Sequence, residues 1–410
     1  MPAQIHLIDS RVAWWRLIAA LALSTLGGVG MWSVVVALPA IQAEFGVTRA
    51  AASLPYTLTM LGFGVGGIFM GRLADRYGVR VPLTGATCAL ALGYVLASMS
   101  SSLLMYALAQ GLLIGMLGSS ATFGPLLADI SHWFERRRGL AVSIVASGNY
   151  LAGALWPPIV QYFIETVGWR SAHLYVGVIC LATMLPLTYA MRRPAPHTGA
   201  ASATTAPSRA RMAPIRISPF ALQTLLMIAG VACCVAMSMP QVHLVAYCGD
   251  LGYGPAVGAR MLSLMLAFGI VSRLASGVIA DRIGGLRTLL LGSVLQGLAL
   301  MLYVPFDGLT SLFVVSALFG LFQGGIVPSY AIIVRENFAP SEAGTRVGLV
   351  VMATVFGMAL GGWMSGAVFD LTGSYRAAFI NGLVWNLTNL SIVVWLRRRP
   401  RNRSFAHGFS

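Results

Sequence analysis

Between Arg260 and Asp281 the chain is uncharged except for one residue, Arg273, in the stretch AFGIVSRLASGVIADRIG. A cation in the middle of an apolar, membrane-spanning helix costs roughly 3 kcal/mol or more, so it normally has a partner or a use. A guanidinium stays charged and grips a carboxylate through two parallel hydrogen bonds, which suits it to binding an organic anion. The structural alternative is that Arg273 snorkels toward Asp281, about 12 Å along the helix, or pairs with a neighbouring helix. Gly269, Ser276 and Gly277 share its face and leave room beside it for a cavity or a close helix neighbour.

No other charge falls at mid-span, so co-ligands must be polar or aromatic. The candidates are Asn149 and Tyr150 after Gly148, Gln323 and Tyr330 seven residues apart with a kink expected near Pro328, and His243 beside Gln241. Trp32, Phe123 and Phe356 are candidate walls of an apolar cage. Each has a plainer reading. Buried tyrosines satisfy backbone carbonyls, aromatics pack, and asparagine bonds a neighbouring helix. His243 is either a titratable outer gate or a core histidine.

The elements that must position these residues are spans. The chain is 57% hydrophobic, only 10% charged, and has a mean hydropathy of +0.79, whereas a soluble domain is about a quarter charged. Apolar runs long enough to cross a hydrocarbon core of about 30 Å recur from end to end. Twelve spans are expected, from 15–39 to 376–396. The first has no small-residue cleavage site after it and reads as a retained helix. All 27 basic residues are arginine, and 22 of them fall on the side that carries both termini. Arg49, Arg170, Arg260 and Arg376 lie on the other side, and Arg273 is the remainder. This bias places both termini in the cytoplasm. The net charge of +15 is therefore topology, not a surface for nucleic acid. The five cysteines lack metal-ligand spacing, and no Gly-x-x-x-x-Gly-Lys motif is present. No metal or cofactor is expected.

Residues 192–217 are rich in Pro, Ala, Ser and Thr and read as a flexible cytoplasmic linker between two six-helix bundles, 1–191 and 218–410. The bundles repeat: GRLADRYGVR from Gly71 recurs as GVIADRIGGLR from Gly277, 206 residues on. GLAVSIVASGNYLAG from Gly139 has a counterpart in GLVVMATVFGMALGG from Gly348. Parallel halves around a midplane cavity are a common transporter plan. With Gly71, Leu73, Ala74, Asp75, Arg76, Gly78 and Arg80 in place, the chain resembles the major facilitator superfamily over nearly its whole length. The resemblance implies an all-α polytopic membrane protein with twelve transmembrane helices in two pseudo-symmetric bundles. It also implies that Asp75, Arg76 and Arg80, with Asp129 in reach, latch the halves on the cytoplasmic side, with Gly277, Asp281 and Arg282 as the second copy. The plainer reading is a solvated turn.

A narrower resemblance lies in HWFERRRGLAVSIVASGNYLAG (132–153) and GLFQGGIVPSYAIIVRENF (320–338), which look like the monocarboxylate transporters and oxalate–formate exchangers. FGVTRAAASLPY and QVHLVAYCGDLGYG look like bacterial members of that branch. Drug–proton antiporters carry a Gly-Pro signature late in helix 5, where this chain has ALWPPI. In the resembled branch a helix 8 arginine binds the substrate carboxylate, Arg273 matches its placement, and aromatic lining favours Tyr150 and Tyr330. Related carriers of nitrate and phosphate esters use an arginine from each half, whereas Gly67 stands opposite Arg273 here. Oxalate exchangers add a lysine, and this chain has none. One fixed charge fits one carboxylate. Animal monocarboxylate carriers place an aspartate one turn before the arginine, but here that residue is Gly269.

The expected activity is secondary active transport of a small organic monocarboxylate, by proton symport or anion exchange. The expected form is a monomer in a bacterial inner membrane, its partners the lipid bilayer, the organic anion and protons. Efflux of neutral or amphiphilic compounds, with Arg273 structural, is the alternative. A transporter-like sensor or scaffold is a weaker one. An enzyme is disfavoured, because Ser147 and His243 lack a nucleophile setting.

Overall fold

A computed structural model describes residues 7–193, 215 and 217–400. Most of the linker expected at 192–217 lies outside the described residues. The helices that cross are α1 (Arg11–Phe45), α2 (Arg49–Tyr77), α3 (Arg80–Ser98), α4 (Leu103–Ser131), α5 (138–167), α6 (169–190), α7 (Pro219–Asp250), α8 (Pro255–Ile283), α9 (Gly285–Leu302), α10 (Leu309–Asn337), α11 (Pro340–Thr372) and α12 (Tyr375–Arg398). Helices α5 and α6 form one run, Arg138–Ala190, that turns at Gly168 (φ 78°, ψ 159°). This makes twelve crossings from eleven long apolar helical segments among the described residues.

Local chemistry sets where the helices start and stop. Ser10, Thr48, Ser102 and Ser218 cap N-termini by accepting a backbone N–H. Pro219, Pro255 and Pro340 open helices at positions where a missing N–H costs nothing. The repeated motif ends each of its helices on a glycine at positive φ, Gly78 at 80° and Gly284 at 84°. A side chain there would be strained. The sequence repeat is thus a repeated turn.

Four crossings are broken. Helix α1 is interrupted at Gly28, α5 at Ser147, and α10 at Gly324–Gly325. Helix α4 passes through a π-helical stretch, Ala109–Gly118, and a 3₁₀ turn, Ser119–Thr122, before resuming at Gly124. Backbone carbonyls freed in a membrane must find donors. Those of Thr25 and Gly27 accept from Trp156 Nε1 at 3.0 Å and Ser119 Oγ at 2.8 Å. The kink expected near Pro328 is therefore displaced. Pro328 sits in the first turn of the restarted segment Ile326–Asn337, where proline is harmless, and the glycine pair makes the break.

The halves meet along two seams. On the seam between α2 and α11, Arg49 and Ala50 N–H groups donate to Asp370 at 2.8 Å. Thr57 Oγ1 donates to the Ala359 carbonyl at 3.1 Å, and a methyl on Gly64 would sit 2.9 Å from Met352 Sδ. Past that point Gly67, Gly71, Gly344 and Gly348 have no described neighbour within 4 Å of an added Cβ. The seam between α5 and α8 behaves alike. Ser263 Oγ donates to the Ala154 carbonyl, Gly153 packs on Leu266, and Arg273 reaches Ala146, whereas Gly139 and Gly277 stand open. Both seams are closed on the face away from the termini and parted on the terminal face.

Candidate functional site

Arg273 lies in the second seam and reaches across it. Its Nη1 donates to the Ala146 carbonyl at 2.8 Å, and its guanidinium carbon sits 4.5 Å from the centre of the Tyr150 ring. Both partners belong to α5, in the other half. Its Nε is buried without a hydrogen-bond partner, and no ion pair of Arg273 occurs among the described residues. A cation over a ring face gains electrostatic attraction, more when desolvated, but neither the ring nor the carbonyl carries a full negative charge.

The packing around Arg273 explains its glycines. An added Cβ on Gly269 would run into Tyr150 Cε1, so the ring occupies the space where a side chain one turn before Arg273 would stand. Gly324 and Gly325, the break in α10, pack on Gly269, Ser272 and Ser276. Helix α10 thus lies against α8 on both sides of Arg273. Gly277, expected to share this crowded face, meets nothing within 4 Å among the described residues.

One turn along α5 from Ala146, Asn149 faces α1. Its backbone carbonyl accepts from Trp32 Nε1 at 3.2 Å, while its Oδ1 is unpartnered. Asn149 lines a narrow crevice at the breaks of α1 and α4 with Ser24, Gly28, Met31, Phe63, Ser119, Thr122 and Phe123, too tight in this conformation to hold a water molecule. Ser24 Oγ is also buried and unpartnered, and the Phe63 and Phe123 rings stand 6.1 Å apart. The crevice offers acceptors and an aromatic wall, and its lining includes no cation.

The structure therefore brings Tyr150 onto Arg273 and sets Asn149, Trp32 and Phe123 nearby on the same half. It does not bring in the others. Tyr330 donates its hydroxyl to Asn389 Oδ1 at 2.8 Å, and Asn389 donates to Ser293, all within the second half. Gln323 Oε1 accepts from Gln241 at 3.0 Å, leaving Gln323 Nε2 unpartnered. His243 donates from Nε2 to the Gly362 carbonyl at 2.8 Å and packs 6.0 Å from the Tyr375 ring, beside the outer seam. Phe356 is half exposed.

On the terminal face, the partner expected for Asp129 is corrected. Arg16 of α1 holds Asp129 through two bonds, Nε to Oδ2 at 2.7 Å and Nη2 to Oδ1 at 2.8 Å, and both residues are buried. The fork geometry of a guanidinium satisfies the whole carboxylate, so Asp129 has no need of Arg76 or Arg80. Those arginines lie over the Tyr77 and Tyr189 rings instead, at 5.3 and 5.6 Å.

The sequence reading missed Arg49. This buried arginine of the first half donates from Nη1 to Tyr375 Oη at 2.6 Å and from Nη2 to Asp250 at 3.1 and 3.2 Å. Its own N–H and that of Ala50 are taken by Asp370. Every partner lies in the other half. A signal existed: of the four arginines on the minority side, Arg170 and Arg376 also carry carboxylate partners, Glu44 and Asp307.

A bundle of twelve crossings whose halves join along two seams has the architecture of a membrane transporter. The chain matches the family model described as Major Facilitator Superfamily over residues 20–311 and 261–409, and it belongs to that superfamily. Among its relatives is monocarboxylate transporter 13 of Bos taurus, 31% identical over 79% of this chain and 75% of the relative. Another is monocarboxylate transporter 11 of Homo sapiens, 32% identical over 75% of this chain and 66% of the relative. Its fold is similar to that of a bacterial homologue of the human lysosomal transporter Spinster, solved inward-facing and occupied. The TM-score is 0.70 at 13% identity, covering 95% of this chain and 97% of the other.

Proposed function

We propose that this chain is a secondary active transporter of a small organic monocarboxylate, with Arg273 as the carboxylate site. The observation that carries this is the state of Arg273: a mid-span cation in a seam between the halves, with a buried Nε that has no partner and no ion pair among the described residues. Substrate would dock on that nitrogen and its neighbour, where a carboxylate finds two parallel donors. Tyr150 would steady the guanidinium, and Asn149 with the Phe63–Phe123 wall would face the rest of the acid. The ~30% identity to monocarboxylate transporters supports the substrate class.

The arginine bias supports cytoplasmic termini, which makes the parted face the inner one and this conformation inward-facing. The arginine-only composition supports a bacterial inner membrane. Rocking the halves about the site would then open the Arg49 seam and close the other face, with proton symport or anion exchange supplying the driving force.

The contacts of Arg273 with Ala146 and Tyr150 favour a second reading, in which the arginine only ties helices together and the cargo is neutral or amphiphilic. Uptake of labelled monocarboxylates into proteoliposomes by wild type and Arg273→Gln separates the two. Loss of uptake in a variant that keeps its thermal stability is expected. Unchanged uptake would leave Arg273 structural.

A further inference from the structure

Helix α12 ends in three consecutive arginines, Arg397, Arg398 and Arg399, and all three are exposed on the terminal face. None has a carboxylate partner among the described residues. Beside them α12 and α7 part to leave a cleft of about 250 Å³, lined by Leu225, Ser391, Ile392 and Trp395. The Ser391 hydroxyl donates to the Leu387 carbonyl of its own helix at 2.8 Å, so the cleft wall is apolar. Ile392, Trp395 and Arg399 follow one another at helical spacing and share a face. The Arg399 guanidinium carbon lies 4.1 Å from the centre of the Trp395 ring. The cleft thus passes from hydrocarbon to cation within about two turns of α12. Trp395 is 39% exposed, and its indole N–H has no hydrogen-bond partner among the described residues.

We propose that this cleft is a binding site for an anionic phospholipid of the leaflet on the terminal face. Arg398 and Arg399 hold its phosphate, and one acyl chain lies between α7 and α12. The charges select the headgroup. A guanidinium fork matches phosphate oxygens, and an unpaired basic cluster at a membrane surface attracts a net negative lipid and gains nothing from a zwitterion. The cleft selects a lipid over a free anion, because inorganic phosphate would meet the arginines and leave the apolar space unfilled. Trp395 joins the two parts: its ring faces the chain, and its free N–H meets the ester and phosphate oxygens at interfacial depth. A chain in this position packs α7 onto α12 where their own side chains leave a gap. Helix α7 is also held to α11 nearby, where Gln223 donates to the Arg346 carbonyl at 3.2 Å. The lipid therefore braces the terminal end of the second half.

The test uses the full-length protein in phosphatidylcholine vesicles that carry a small fraction of chain-brominated lipid, since bromine quenches tryptophan emission at close range. The chain has nine tryptophans, so the share of Trp395 is the difference between wild type and Trp395→Phe. That share is expected to be quenched roughly fivefold more strongly or better by brominated phosphatidylglycerol than by brominated phosphatidylcholine at the same fraction. Equal quenching by the two lipids, or quenching that Trp395→Phe leaves unchanged, would overturn the proposal. The double variant Arg398→Gln, Arg399→Gln should bring the preference toward one. Arg136→Gln, Arg137→Gln removes the same charge from the same face and should keep it. A preference lost equally in both would be surface charge, not a site. Ser391→Phe fills the cleft and leaves the arginines in place, and it is expected to lower the preference several-fold. A preference untouched by that change would show that no chain lies in the cleft. Added inorganic phosphate should act no differently from chloride of equal ionic strength. Selective loss of the preference in phosphate would assign the arginines to a free anion and overturn the lipid.

Discussion

Arg49 and Arg273 both cross from one half of the molecule to the other, and they are partnered in opposite ways. Arg49 is charge-compensated: a carboxylate, a phenol and the rings of Phe369 and Tyr375 surround its guanidinium, and a second carboxylate takes its backbone N–H. Arg273 has a carbonyl and a ring but no ion pair among the described residues, and the Nε of each arginine is buried without a partner. A guanidinium already paired with a carboxylate serves as a fastening, because an incoming anion must displace that carboxylate. One left without a carboxylate in a partly buried place is primed for an anion. The contrast is why we assign Arg49 to the seal and Arg273 to the cargo, although sequence position alone singles out only Arg273.

The largest expected effect breaks the comparison at the cargo end. Truncating one member of a desolvated, hydrogen-bonded charge pair costs about 2–5 kcal/mol, or roughly thirtyfold and more in affinity. Arg273→Ala should therefore lose substrate binding by at least that factor while leaving the seal intact. Isothermal titration in detergent, read beside the thermal melting midpoint, checks it. Weaker binding without a fall in melting temperature is the expected pattern.

The next effect breaks it at the seal. Arg49→Ala or Asp370→Asn removes bonds that fasten α2 to α7, α11 and α12, so the outward-open state should gain population. An increase of about tenfold is reasonable for losing roughly 1.5 kcal/mol of partly solvated pairing. Ala359→Cys, on the buried seam, would report it in a Cys88→Ser background, since Cys88 is the exposed cysteine and the other four are buried. Faster labelling by a membrane-impermeant maleimide added outside is expected in the Arg49 variant. Equal labelling rates would show that Arg49 fastens nothing. Substrate affinity, in contrast, should change little.

A third change sharpens the cargo side. Gly269→Ala drives a methyl into the Tyr150 ring, and overpacking of this sort costs about 1–3 kcal/mol. Transport should fall several-fold, and Tyr150→Leu in the same molecule should restore part of it by vacating the space. Two independent losses that simply add would mean that residues 269 and 150 do not meet.

How much of this was legible beforehand follows from the range of each signal. The twelve crossings and the two halves were written in hydropathy and in a motif repeated at Gly71 and Gly277. Its turn glycines, Gly78 and Gly284, confirm that the repeat is structural. Arg273 was legible because charge inside a span is rare. Its attachment to Tyr150 was half legible, since nothing in local periodicity says which helix a residue on α8 will face. The Arg49–Asp370 and Arg16–Asp129 contacts join residues 321 and 113 positions apart. At helix ends arginine is ordinary topology, so neither pair stood out from the bias that surrounds it.

Gln323 and Tyr330 show a different failure, and they supply the smallest expected effect. A spacing of seven puts two residues on one face only while the helix between them is continuous. Here Gly324 and Gly325 interrupt it, so Gln323 meets Gln241 on α7 while Tyr330 meets Asn389 on α12. The Tyr330 hydroxyl is thus spent on a neutral bond inside the second half, worth about 1 kcal/mol. Tyr330→Phe should lower the melting temperature slightly and leave the KM for a carboxylate unchanged, because no part of that bond faces Arg273. If KM rose several-fold with stability preserved, the hydroxyl would have to leave Asn389 during the cycle and reach the substrate. Tyr330 would then join Tyr150 at the cargo end, and the second half would supply more than a lone cation to the site.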